Sequence, residues 1–475
     1  MKGNRRLLLR ARGWLLGCVW LVWTASVSGG ASPERPPNII LIVVESLRSD
    51  HVSCYGHALD TTPAIDAVAA DGIQFQRAVA SSGWTMPSVM SLLTSLPPSE
   101  HGAVGYHHSL AAGRTTLAAE LRRGGYRTAG IVANPTLSGE YGFRRGFDLY
   151  DDFTILRDIP IDGTTGHGRA EPIHVRSTSA DTTRLAVPWL AARKAEPATP
   201  FFLFLFYFDP HYDYIPMPPY NTRFTDAQYS GLQDGRNIRS LRGRLIGPAD
   251  QNQIRALYDG EIRCVDDQIG RLLAELYRLH LDDSTLVLVT GDHGDEFWDH
   301  GGTAHGHTLY DELLHVPLVM RLPGGRHAGV RIDANVGLID VMPTLLDVAG
   351  LPVPEQCQGR SLMPCLNGKR PSDVPLIAET SIDGRLSAIR MGSRKAIIQH
   401  SATPAGDVLL LFDLGEDPHE RRNLAGTRRE AEFAPLFTLL RARGRPGGSV
   451  TPSDTQRPAL NPALLQQLKS LGYVR

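Results

Sequence analysis

Long unbroken apolar runs constrain this chain more than any other feature of its sequence. Asn38-Ile-Ile-Leu-Ile-Val-Val44 carries no polar residue after its first, and similar runs recur at Thr128–Ala133, Phe201–Phe208, Ser284–Thr290 and Val316–Met320. A strand with one wet face alternates apolar with polar residues. A run that stays apolar reads instead as a strand buried on both faces, as in a parallel sheet. Helical patterns at Pro63–Gly72, Thr115–Gly124, Asn252–Tyr277 and Ile339–Gly350 lie between and after these runs. The alternation predicts an α/β fold, a mostly parallel sheet with helices on both faces. With 475 residues, 42% of them hydrophobic, the chain has room for one large domain of this kind and a smaller appendage.

The pattern changes after Pro371. Short strand-like runs at Leu376–Glu379, Leu386–Met391, Lys395–Gln399 and Val408–Leu411 predict a small antiparallel sheet. Helical stretches follow at Arg428–Arg443 and Pro462–Leu471, with a linker-like Arg443–Arg457 between them. The expected division is therefore an N-terminal segment (1–31), a catalytic domain (36–370) and a C-terminal α+β subdomain (371–475).

The N-terminal segment has the order of a secretory signal. Lys2, Arg5, Arg6, Arg10 and Arg12 precede an apolar run from Trp14 to Trp23, and the small residues Ala25, Ser26, Ser28 and Gly29 follow. The run is shorter than the roughly 20 residues of a membrane span. Export to the periplasm or cell exterior is expected, with an uncleaved anchor as the alternative. Membrane association is expected only if the segment is retained. Lys plus Arg (49) nearly cancel Asp plus Glu (50), so no overall field favours nucleic acid. Of the five cysteines, Cys18 would leave with the signal, and Cys54 and Cys264 read as small core residues. Cys357 and Cys365 could bridge in an oxidising compartment or remain two thiols.

Ligands of open parallel sheets bind at the carboxyl ends of the strands, and three of the runs end in reactive residues. The first leads into Glu45 and then Arg48, Asp50 and His51. The Phe-rich run leads into Asp209-Pro210-His211. The fourth leads into Gly291-Asp292-His293-Gly294-Asp295-Glu296. Carboxylates and imidazoles gathered at one end of a sheet are the raw material of a metal site. Asp295 and Glu296 read as helix-start acids or as supports for the ligands. The polar, Gly- and Arg-rich Asn221–Gly247 reads as a loop over the site.

Further motifs keep a familiar order. They are Leu47-Arg48-Ser49-Asp50-His51, Cys54-Tyr55-Gly56, Thr85-Met86-Pro87-Ser88, His305-Gly306-His307 and Asp417-Pro418, with Leu471-Gly472-Tyr473 at the end. Together they make the chain resemble the sulfatases and their relatives in the alkaline phosphatase superfamily. The resemblance implies a metal-dependent ester hydrolase, with Glu45, Thr85, Asp292 and His293 around one or two divalent ions (Zn, Mn or Ca). It implies Thr85 as nucleophile, activated by the ion. His211 would contact the ester oxygen and protonate the leaving group. Arg48, His305 and His307 are candidate substrate-binding residues. Arg48 could equally form an ion pair with Asp50, and the cluster of His300, His305 and His307 could hold a second metal with Asp209.

Two departures bear on the chemistry. A sulfatase places Cys or Ser, oxidised to formylglycine, at the start of a C/S-x-P-S-R motif. Here Thr85 stands there, and Val89 replaces the Arg. Threonine cannot yield that aldehyde. The first strand also ends in Glu45-Ser46, where sulfatases usually carry two aspartates. Both features favour phosphate or phosphonate esters over sulfate esters. The alternatives are a sulfatase, a phosphotransferase acting on envelope lipid or glycan, or an inactive relative. The expected substrate is a small-molecule, glycan or lipid ester. A lone Thr before a helix would otherwise read as an N-cap.

Overall fold

The computed structural model describes residues 35–152, 154, 177–368, 374–443, 458 and 460–470. The signal segment with Cys18, most of the linker-like Arg443–Arg457 and the closing Leu471-Gly472-Tyr473 lie outside the described residues. The chain divides into two compact units, Met1–Arg35 and Pro36–Arg475, and the second is described below.

Among the described residues ten strands precede residue 340: β1 (Asn38–Val44), β2 (Ile73–Val79), β3 (Arg127–Val132), β4 (Leu149–Asp151), β5 (Phe201–Tyr207), β6 (Thr285–Gly291), β7 (Glu296–Phe297), β8 (Thr303–Ala304), β9 (His315–Arg321) and β10 (Val330–Gly337). Eight of them form one sheet in the order β10-β2-β9-β6-β1-β5-β3-β4, while β7 and β8 make a separate hairpin. Only β9, among the described strands of this sheet, runs antiparallel to its neighbours. Successive residues of a strand point to opposite faces, and Ile39–Val44 are all buried. Both faces at β1 are therefore covered, which is why the sequence there shows no alternation.

Three strands of this sheet escape the sequence reading, as do β7 and β8. β2 (Ile-Gln-Phe-Gln-Arg-Ala-Val) and β10 (Val-Arg-Ile-Asp-Ala-Asn-Val-Gly) carry polar residues because they lie at one margin of the sheet, where part of the surface stays wet. β4 is only three residues long. The helices α1 (Pro63–Ala70), α2 (Thr85–Thr94), α3 (Leu117–Arg123), α4 (Ser179–Arg193), α5 (Pro248–Arg278) and α6 (Val341–Val348) connect the strands.

The four expected C-terminal runs form β11 (Leu376–Thr380), β12 (Arg385–Met391), β13 (Arg394–His400) and β14 (Val408–Asp413), antiparallel and in sequence order. Leu376, Leu386, Ile397 and Phe412 join the main core. Ile389, Leu411, Phe433 and Leu436 build a smaller one with α7 (Ala434–Arg443). An ion network around a buried lysine ties this sheet to the short helix Asp311–Leu314 before β9. Lys395 Nζ lies 2.7 Å from Asp311 Oδ1 and 2.8 Å from Glu420 Oε1, and Arg390 Nη1 lies 3.1 Å from Asp311 Oδ2.

One buried imidazole braces α2. His101 is fully buried; its Nδ1 accepts from the Ala103 N–H (3.1 Å), so Nε2 carries the hydrogen and donates to the Pro87 carbonyl (3.1 Å). A second proton would face the Ala103 donor. Burial pushes this imidazole down to about 3. The unfolded chain therefore takes up a proton below its ordinary pKa of about 6.5 that the folded chain refuses. His101 stabilises the fold fully above that value and loses its contribution as pH falls towards 3, by about 1.4 kcal/mol per pH unit. Denaturant unfolding between pH 6.5 and 4.5 checks this, because His101→Gln should flatten the slope. An unchanged slope would contradict it.

Candidate active site

Strand register brings three segments to one place. Val44 pairs with Tyr207 on β5 and with Gly291 on β6, so Glu45, Phe208-Asp209 and Asp292 leave the sheet side by side. Glu45 N–H donates to the Tyr207 carbonyl (2.9 Å), and Asp292 N–H donates to the Val44 carbonyl (3.3 Å). Ser46 then turns the chain with a left-handed φ of 51°, a costly conformation outside glycine. Its N–H donates to Asp292 Oδ1 (2.9 Å), and its carbonyl accepts from the Tyr258 hydroxyl (2.6 Å). Only glycine fits two residues beyond Asp292, because a Cβ at Gly294 would stand 2.1 Å from the Glu312 carbonyl oxygen.

α2 delivers Thr85 in its first turn, and all ten residues of this helix are buried. Trp84 is the N-cap and makes no side-chain cap bond. The Thr85 hydroxyl does not cap the helix either; it donates to Glu45 Oε1 (2.6 Å) and lies 3.3 Å from His293 Nε2. That nitrogen is 3.3 Å from Glu45 Oε1 and 3.4 Å from Asp292 Oδ2. Asn134 Nδ2 donates to the other Glu45 oxygen (2.7 Å). The four residues Glu45, Thr85, Asp292 and His293 thus stand together, as the sequence suggests, and each is at most 2% exposed.

The electrostatics of this cluster favour a cation. Burial pushes the Asp292 carboxyl up; His293 opposes the shift and Glu45 reinforces it. Burial disfavours the His293 imidazolium, but Asp292 and Glu45 outweigh it and raise its pKa. Asp292 Oδ2 is buried with no hydrogen-bond partner. Two carboxylates, an imidazole and a hydroxyl, with one oxygen left orphaned, fit a divalent metal. Donor atoms of Glu45, Asp292 and His293 all lie within 4.8 Å of one another.

His211 and His305 flank this cluster. The His211 ring stacks on Phe208 at 4.7 Å and lies 5.2 Å from His305, whose ring is 4.4 Å from His293. His211 Nδ1 is 2.6 Å from the Tyr212 carbonyl. A carbonyl only accepts, so Nδ1 carries a hydrogen and Nε2 is the basic nitrogen of the neutral ring. His305 Nδ1 is 2.6 Å from Asp295 Oδ1. Burial and the charge on His293 hold the His305 imidazole well below its ordinary range.

Several expectations change here. Asp295 and Glu296 start no helix; Asp295 supports His305, and Glu296 opens β7 and takes His307 Nε2 at 2.7 Å. His307 is accordingly paired with Glu296, away from the Thr85 cluster. Arg48 forms the ion pair with Asp50. Its guanidinium holds Asp50 through two bonds (2.9 and 2.7 Å), Asp299 (2.8 Å) and the Asp295 carbonyl (2.9 Å). His300 pairs with Glu312 (2.7 Å) and stacks on Tyr310. Asp209 accepts from Ser177 Oγ, Thr178 N–H and Ser179 N–H at the start of α4, so it is committed to that helix and not to the histidine cluster. Cys357 and Cys365 are free thiols.

Sequence reasoning missed the walls of the site. A cleft of about 330 Å³ over Thr85 is lined by Trp84, Tyr106, Tyr212, Arg239, Ile382 and Asp383, among others. Arg239 comes from the Asn221–Gly247 segment, which does border the site. Ile382 and Asp383 come from the turn between β11 and β12. None of these residues belongs to a motif.

The sulfatase family profile matches residues 37–351. The multifunctional alkaline phosphatase superfamily protein PehA of Trinickia caryophylli is 27% identical, over 82% of this chain and 91% of its own. An arylsulfatase of Clostridium perfringens is 27% identical, over 69% of this chain and 77% of its own. The phosphonate monoester hydrolase of Agrobacterium radiobacter superposes with a TM-score of 0.69 at 26% identity, covering 86% of this chain and 96% of that one. Among the described residues no helix is long and apolar enough to cross a membrane. With a family match over well more than half of its length, and with the fold and site described above, this chain belongs to the sulfatase family of the alkaline phosphatase superfamily and is an ester hydrolase.

Proposed function

We propose that the chain is a metal-dependent hydrolase of phosphate or phosphonate esters with Thr85 as its nucleophile. The carrying observation is the Thr85 hydroxyl, 2.6 Å from Glu45 and 3.3 Å from His293, beside an unpartnered Asp292 oxygen. Glu45, Asp292, His293 and Thr85 would hold the ion. A divalent cation there supplies Lewis acidity, lowering the proton affinity of the hydroxyl and offsetting the charge of the ester. Thr85 Oγ1 loses its proton along the bond to Glu45 and attacks phosphorus in line. The P–O bond to the leaving alcohol breaks as His211, as the imidazolium, gives that oxygen its Nε2 proton. Water then gives a proton to His211 and attacks phosphorus, and the P–Oγ1 bond breaks as Thr85 recovers its proton from Glu45, releasing the phosphate or phosphonate.

Val89, fully buried among apolar residues, supports this reading over sulfate chemistry, because no guanidinium stands where the formylglycine motif carries one. The phosphonate monoester hydrolase among the similar structures supports it too. The catalytic unit runs over 36–370, and 371–475 contributes one wall of the cleft. Small-molecule, glycan or lipid esters fit as substrates. The order of basic, apolar and small residues in 1–31 supports export.

One observation favours two ions over one. Donor atoms of Glu45, His211 and His305 lie within 4.8 Å of one another, and the Asp295–His305 pair has the form of a carboxylate-supported histidine ligand.

The test is a panel of aryl phosphate monoester, phosphodiester, phosphonate and sulfate substrates, assayed with Zn²⁺, Mn²⁺ or Ca²⁺ after chelation. Chelation should reduce turnover to background, and one of the metals should restore it. The phosphorus esters should outpace the sulfate by about tenfold or more, which is about 1.4 kcal/mol in the barrier. Fastest turnover of the sulfate would overturn the ranking.

A further inference from the structure

Three metal-binding side chains meet at a place that shares no donor with the Thr85 cluster. His51 ends a short turn (Ser49–His51) a few residues after β1, His57 follows Gly56, and Asp259 lies within α5. His51 Nδ1 is 2.6 Å from Asp259 Oδ1, and His57 Nε2 is 3.4 Å from Asp259 Oδ2, so each carboxylate oxygen faces its own imidazole. The two rings lie 4.9 Å apart, tilted by 30°. All three donor atoms fall within 4.8 Å of one another. Asp259 is 3% exposed and His51 is 7% exposed.

A hydrogen-bonded triad accounts for only half of this geometry. His51 and Asp259 make a short bond, but His57 Nε2 is buried and has no hydrogen-bond partner, an uncommon state for a buried polar atom. Its 3.4 Å approach to Asp259 is long for a hydrogen bond. It is also the separation between ligands of a tetrahedral ion with bonds of about 2.0–2.2 Å, which is about 3.3–3.6 Å. The His51–Asp259 contact would have to open by less than 1 Å to match, within the reach of a residue on a short turn.

We propose that His51, His57 and Asp259 form a second divalent-metal site, of the zinc class, with water in the fourth position. Two imidazoles and a carboxylate are a donor set suited to such ions. Tyr258 packs edge-on against the His51 ring at 5.0 Å, and Phe297 lies 5.9 Å from it, so the site has an aromatic wall. The ion would clamp the segment after β1 to α5. Tyr258, next to Asp259, accepts from the Arg48 N–H and donates to the Ser46 carbonyl, so the clamp braces the turn that aims Glu45.

The experiment counts metal. Full-length protein is stripped with chelator, reloaded with Zn²⁺, desalted and analysed by mass spectrometry. Wild type should hold one equivalent more than His57→Gln. Asp292→Asn, which disables the Thr85 cluster, should keep one equivalent that the Asp292→Asn, His57→Gln double variant loses. Loaded with Co²⁺, Asp292→Asn should show tetrahedral visible absorption stronger than that of the double variant by the contribution of one site. His57 is partly exposed, so its replacement by Gln is compatible with folding. Equal zinc in wild type and His57→Gln, or equal zinc in the two Asp292→Asn proteins, would overturn the proposal. The first comparison is independent of the identity of the nucleophile and of the substrate ranking.

Discussion

Thr85→Ala should fold normally and lose turnover by about 10³-fold or more. The residue is not the N-cap of α2; that position belongs to Trp84. Alanine is also the best helix former, so local propensity does not suffer. What disappears is one hydroxyl, bonded to Glu45 and facing His293. If that oxygen attacks the ester, no neighbouring group replaces it, and water in the vacated space lacks the covalent route. Thr85→Ser keeps the oxygen and should retain activity within about 10²-fold of wild type. Steady-state kinetics on the fastest substrate of the panel, with thermal melts alongside, distinguish the cases. An alanine variant within tenfold of wild type would remove Thr85 from the mechanism.

A second large effect lies far from chemistry. Lys395→Met should destabilise the protein by about 3–5 kcal/mol. Lys395 is 1% exposed, and its ammonium is shared between Asp311 and Glu420. Burial works against that charge, yet the two carboxylates outweigh it and keep the amine protonated. Methionine fills nearly the same volume, so packing is largely kept. The cost comes from depriving buried Glu420 and partly buried Asp311 of the ammonium they share, and Arg390 reaches Asp311 alone. Lys395→Arg keeps the charge and should fall between the two. Chemical denaturation followed by tryptophan fluorescence reads the loss. A change below about 1 kcal/mol would mean that the carboxylates find protons or water instead.

Much of this was legible before any coordinates. Strands buried on both faces announce themselves as unbroken apolar runs, as β1, β5 and β6 do here. Their ends then pointed to Glu45, Asp292 and His293, because parallel sheets put function at that edge. Thr85 came from motif order, and its meeting with Glu45 needed the fold. Other features left no trace in the sequence. The Arg48–Asp50 pair is one of the two readings the sequence allows, but only packing shows that Asp299 and the Asp295 carbonyl also engage the guanidinium. Asp295 and Glu296 resemble helix-start acids locally; the hairpin of β7 and β8 that pairs them with histidines is a tertiary fact. Tyr106, Tyr212, Arg239 and Asp383 lie far apart in sequence and have no spacing to detect.

The turn between β11 and β12, which supplies Ile382 and Asp383 to the cleft, has a consequence for how such enzymes diversify. Recombination between relatives with a crossover near residue 371 would transplant one wall of the substrate cleft and leave Glu45, Thr85, Asp292 and His293 untouched. A new leaving-group preference could then arise in a single genetic event with the reaction centre preserved. The buried link from Lys395 to Asp311 limits which donors are compatible, since the incoming sheet must bring a cation to meet an aspartate encoded on the other side of the junction. Chimaeras that keep this charge pair should be the ones that survive to be selected.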